Sequence, residues 1–103
     1  MKDHKKYIKH DGLKNANHLE VSVYYSKGGT SFFSGQITPR GYYISVRPVT
    51  LGNGTVRFEL FSGCTKLLLE TSRYSEKQFA RAIEMATAFE AELIAAVTDK
   101  QAV

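Results

Sequence analysis

Hydrophobic and polar residues alternate strictly from His18 onward. Leu19, Val21, Val23 and Tyr25 interleave with Glu20, Ser22, Tyr24 and Ser26, the period-two pattern of a strand with one buried face. Lys27-Gly28-Gly29 then reads as a turn, because glycine reaches positive φ without penalty. Thr30 to Ser34 is expected as a short second strand, a hairpin partner of the first, and Gly35, Pro39 and Gly41 punctuate a connection. Tyr42 to Thr50 and Thr55 to Ser62 are expected to form the next hairpin, around "LGNGT". A three-residue loop, Gly52-Asn53-Gly54, would set Val46 against Leu60, Pro48 against Phe58 and Arg47 against Glu59. That register keeps one face apolar and gives a favourable cross-strand charge pair. Pro48 cannot donate to a ladder, so its strand must be an edge there or turn that position away from a neighbour. After Gly63, Cys64 to Ser72 reads as a fifth strand.

The period changes at Ser75. Ser75 as N-cap with Gln78 three residues on makes a capping box, and Tyr74 and Phe79 occupy the staple positions. Phe79, Ile83, Ala86, Leu93 and Val97 recur at helical spacing, widened by Ala82, Met85, Phe89 and Ala96. The helix is expected over 76–98, roughly 34 Å at 1.5 Å per residue. Its C-terminal half, "AELIAAV", is expected to overhang the sheet and meet a second subunit. The expected fold is α+β, an antiparallel β-meander of four to five strands with one long C-terminal helix packed on one face. Residues 18–103 would form that single domain, and 1–17 a flexible basic N-terminal arm.

One helix covers one face of a sheet. Tyr24-Tyr25, Phe32-Phe33 and Tyr42-Tyr43 are aromatic doublets, and adjacent strand residues point to opposite faces. The expected inner face is Leu19, Val21, Val23, Tyr25, Tyr42, Ile44, Val46, Val56, Phe58 and Leu60. The outer face would then carry Tyr24, Tyr43 and Phe61, interleaved with Arg47 and Arg57, with Arg40 and Lys27 in nearby connections. Rings among arginines suit single-stranded nucleic acid, because every base offers a π-face for stacking and guanidinium groups contact phosphate. Tyr, Phe and Arg are also enriched at protein–protein interfaces. Both readings stay open on composition.

Charge adds little discrimination. The chain of 103 residues carries a net +4. Residues 1–18 hold five lysines against two aspartates, so most of the excess sits at the N-terminal end. The lone Cys64 permits no intrachain disulfide and fits a reducing cytoplasm. No apolar run reaches the ~18 residues of a membrane span, and no signal-peptide core follows the first lysines. His4, His10 and His18 match no zinc spacing. Cys64 reads as a small structural hydrophobe, "SKGGTS" lacks the Walker spacing, and the helix glutamates pair with no shielded acid or base. The expectation is therefore not an enzyme, with no cofactor and no metal.

The segments "LEVSVYYSKGG", "PRGYYISVRPV" and "FSGCTKLLLE", followed by "AIEMA", resemble small uncharacterised proteins of bacterial mobile elements and phages over Leu19 to Val97. That resemblance implies a context and no chemistry. The order of strands and helix is similar to the coactivator and Whirly class of single-stranded DNA-binding proteins, in which a β4α unit dimerises and its sheet binds DNA. Together these give the expectation of a non-enzymatic nucleic-acid-binding protein of a mobile genetic element, a homodimer in the cytoplasm. The alternative is a phage or plasmid interaction protein that binds and inhibits a host protein such as a defence nuclease, in the manner of an anti-CRISPR protein.

Overall fold

The computed structural model describes residues 3–13, 16–30, 37–52, 54–58 and 63–101. Among the described residues, seven strands precede one helix: β1 (His4–Lys9), β2 (His18–Ser26), β3 (Gly29–Thr30), β4 (Ile37–Thr38), β5 (Gly41–Gly52), β6 (Thr55–Phe58), β7 (Cys64–Glu70) and α1 (Glu76–Gln101). The fold is α+β, an antiparallel sheet with the long C-terminal helix packed on one face. The sheet runs β1-β2-β5-β6, with β7 also pairing β5. The twelve-residue β5 is thus the hub: β2 lies along one edge, and β7 and β6 divide the other.

Pro48 falls at that division. On the β6/β7 edge the pairs stop at Val46 and resume at Val49, leaving Arg47 and Pro48 between them. Residues 59–62, between β6 and β7 in the chain, lie outside the described residues.

Three local expectations are corrected. First, residues 4–9 of the expected arm form β1, antiparallel to β2 with His4↔Val23 through Lys9↔His18. Second, the turn at Lys27 to Gly29 does not return a partner to β2. Both edges of β2 are taken by β1 and β5, and Gly29–Thr30 pairs instead with β4. The Phe32-Phe33 doublet lies outside the described residues. Third, the β5–β6 hairpin closes on a two-residue loop, with Gly52↔Thr55, Leu51↔Val56, Thr50↔Arg57 and Val49↔Phe58. Gly54 takes φ 74°, which suits the Asn-Gly turns preferred by two-residue hairpins. The slip of one residue moves β6 to the opposite parity. Leu60 and Glu59 lie outside the described residues.

The inner face is otherwise as the alternation predicts. Leu19, Val21, Val23, Tyr42, Ile44 and Val46 form one buried cluster with Leu68 of β7 and Phe79, Ala82, Ala86, Leu93 and Val97 of α1. Leu68 joins it through a bulge, an extra residue opposite Tyr42 and Tyr43. The expected overhang of α1 is also corrected. Leu93 and Val97 are buried within this cluster, so the helix spends its C-terminal half on the core.

The helix start matches its local code in part. The Ser75 hydroxyl accepts the Gln78 N–H at 3.1 Å, and the Tyr74 and Phe79 rings pack with centroids 5.9 Å apart. The reciprocal bond of the capping box is absent in this form. Gln78 Oε1 accepts instead from the Thr71 hydroxyl at 3.3 Å, and the Ser75 N–H donates to the Tyr42 hydroxyl at 2.8 Å.

Candidate nucleic-acid interface

The sheet face opposite α1 is organised in cross-strand rows. One row runs Tyr7, Glu20 and Arg47 across β1, β2 and β5. Glu20 is its anchor, at 1% exposure. One carboxylate oxygen accepts from the Tyr7 hydroxyl at 3.1 Å, and the other lies 3.6 Å from Arg47 Nε. A buried carboxylate is tolerable only with such partners. Its hydrogen bond pushes the Tyr7 phenol above its ordinary pKa, because phenolate would face carboxylate. The ring of Tyr7 stays at the surface, with the residue 42% exposed.

Strand parity sets Lys5 and Lys9 on the same side of β1 as Tyr7. Both are exposed, and both flank the ring at two residues' distance. Lys6 takes the other parity and turns toward α1, where its Nζ lies 2.7 Å from Glu90. The row beside Tyr7 is polar: Lys5 pairs Ser22, which pairs Ser45, and the Thr65 hydroxyl donates to Ser45 Oγ at 3.4 Å.

The next row holds Tyr24 and Tyr43, whose rings stack at 5.9 Å with 17° between planes. Tyr24 is half-buried, while Tyr43 is 7% exposed and its hydroxyl donates to the Pro39 carbonyl. Burial raises both phenol pKa values. Tyr43 raises that of Tyr24 further and Arg47 opposes the rise, while Glu70 adds to the shift at Tyr43.

The sequence-expected site residues are therefore divided. Tyr24 and Arg47 lie on one face with Tyr7. Tyr43 is on that face but is a packing ring beneath its neighbour, so it offers no free π-face. Lys27 and Arg40 are exposed at the far end of the β2–β5 pair, where Arg40 lines an open hollow with Glu70, Thr71 and Ser72. Arg57 pairs Thr50 in β6, and its side chain lies outside the described residues. Phe61 lies outside the described residues. Sequence reasoning missed Lys5, Tyr7 and Lys9. Their signal is the alternation in "KKYIK", hidden because lysines occupy both parities.

Among the described residues no group of three or more His, Cys, Asp or Glu could hold a metal ion, and no helix is long and apolar enough to cross a membrane. No protein-family model, curated protein or solved structure matches the chain.

Proposed function

We propose that this chain is a non-enzymatic nucleic-acid-binding protein that takes single strands on the sheet face opposite the helix, in the mobile-element context its sequence resemblance implies. The observation that carries the reading is Tyr7: an exposed ring, fixed through its hydroxyl to the buried Glu20, between Lys5 and Lys9 on one face of β1. A ring fixed in place can stack a base at small entropic cost, and flanking ammonium groups meet the phosphates on either side. Arg47, held by Glu20, adds a cation beside it. The test is fluorescence anisotropy of a labelled single-stranded oligonucleotide, with duplex as comparison, at low and moderate salt. Single strands should bind more tightly, and Tyr7→Ala should cost about 1–3 kcal/mol, the value of one stacked base. Absence of binding at low salt overturns the reading.

A second reading, an interaction protein for a host partner such as a defence nuclease or for a second copy of this chain, is favoured by Ile37. That residue is 80% exposed on the β3–β4 ribbon. Its binding would vary little with salt and be lost in Ile37→Asp.

A further inference from the structure

Lys5, Tyr7 and Lys9 trace the proposed surface along β1, and Asp3 and Asp11 bracket them in the chain. Asp3 immediately precedes the strand, and its charge reaches Tyr24 of the same face, raising that phenol's pKa. Asp11 opens the turn that follows His10, whose N–H still donates to Asn17 at 3.2 Å. A carboxylate-bearing residue thus stands just beyond each end of the cationic strip along the chain.

Resting on the nucleic-acid reading, we infer that the ligand is a short single-stranded segment of about three nucleotides, and that this face does not track a long strand. Same-face residues of a strand are about 6.8 Å apart, so Lys5 and Lys9 stand about 13.6 Å apart. Consecutive phosphates of an extended single strand are separated by a comparable step. The two lysines therefore meet phosphates two steps apart, and Tyr7 faces the base between them. A further phosphate on either side would arrive at Asp3 or Asp11 and be repelled. Lateral extension across the sheet is limited by the stacked and buried Tyr43.

Two readouts test the footprint on the full chain. Oligothymidylates from about two to about eight nucleotides are titrated first. Affinity should climb to about three nucleotides and then rise only by the number of equivalent registers. The salt dependence of the octamer should have a log–log slope of roughly −1.4 to −2.1, corresponding to two or three phosphates neutralised on a single strand. In the double variant Asp3→Asn, Asp11→Asn, the octamer should gain more affinity than the trimer. A steady climb through eight nucleotides with a steeper slope would overturn the footprint and leave the nucleic-acid reading standing. Failure of every oligonucleotide to bind at low salt would overturn both.

Discussion

The hydroxyl of Tyr42 binds both main-chain polar groups of Ser75: it accepts from the N–H at 2.8 Å and donates to the C=O at 3.0 Å. Strand β5 is thereby fastened to the first residue of the helix cap, on top of the ring packing between Tyr42 and Phe79, whose centroids are 6.0 Å apart. Tyr42→Phe keeps the ring and removes both bonds. It should lower stability by about 1–3 kcal/mol, because a part-buried N–H loses its partner. Ser75→Ala should cost about 1 kcal/mol for the cap alone. Urea midpoints of the two single variants and the double variant would measure this. A double-variant loss equal to the larger single loss would show that the two contacts act as one unit.

Glu20 links stability to the proposed surface. Glu20→Ala should destabilise by about 1.5–3 kcal/mol through loss of hydrogen bonds to a charged group. It should also free the Tyr7 hydroxyl and Arg47. Glu20→Gln retains an acceptor for Tyr7, so it should be the milder change in a thermal melt. An unchanged melting temperature for Glu20→Ala would mean that the row contributes nothing to folding.

Alkaline pH reports on the same row. Tyr7, Tyr24 and Tyr43 all have phenol pKa values raised above the ordinary tyrosine value. An acid whose pKa is higher folded than unfolded stabilises the fold below its unfolded value, and that contribution disappears as pH rises through the folded one. Stability should therefore fall as pH climbs past about 10, the ordinary pKa of tyrosine. Ultraviolet titration of phenolate absorbance should show late-ionising tyrosines, and Glu20→Gln should shift one of them, Tyr7, downward. Tyrosines that all titrate at the ordinary value would contradict the geometry.

Gly41 provides a steric test at the β5–β7 junction. It pairs Glu70, and a Cβ there would strike the Leu69 carbonyl oxygen and come 2.9 Å from Glu70 Cα. Gly41→Ala should cost about 1–3 kcal/mol by overpacking against backbone. Gly52, where an added Cβ meets nothing within 4 Å, is the control. Denaturant midpoints of the two alanine variants should separate clearly.

The legible parts of the chain were those whose code is local. The alternation of Leu19, Val21 and Val23 and the helical stripe of Phe79, Ala86, Leu93 and Val97 named most of the core. Ser75 was readable because its hydroxyl bond to Gln78 spans three residues. The β5–β6 register was misread through Arg47. Pairing it with Glu59, which lies outside the described residues, favoured a three-residue loop, and Arg47 also meets Glu20 on β2 across the sheet. No local pattern encodes that choice, and a one-residue slip gives Arg57 a different cross-strand partner, Thr50. Strand β1 was missed for a related reason. Lys6 sits on the helix-facing side only because Glu90, far along the chain, neutralises it. Lysines are also a common device on sheet edges, where they discourage pairing with other chains, so a charged edge strand reads like a tail. Tyr43 shows the limit for the site itself. Parity placed it on the outer face, but the bond to Pro39 and the cover of Tyr24 depend on how β5 enters the sheet.

The single helix comes after every strand, and it supplies Phe79, Ala82, Ala86, Leu93 and Val97 to a core whose other half is sheet. On the ribosome the strands emerge first. At about 5–20 residues per second, the 26 residues of α1 take on the order of one to five seconds to appear. During that interval Leu19, Val21, Val23, Ile44 and Val46 have no lid, and the nascent sheet displays a flat aliphatic surface to the cell. Translation speed through the helix codons thus sets how long the chain is vulnerable to aggregation or in need of a chaperone.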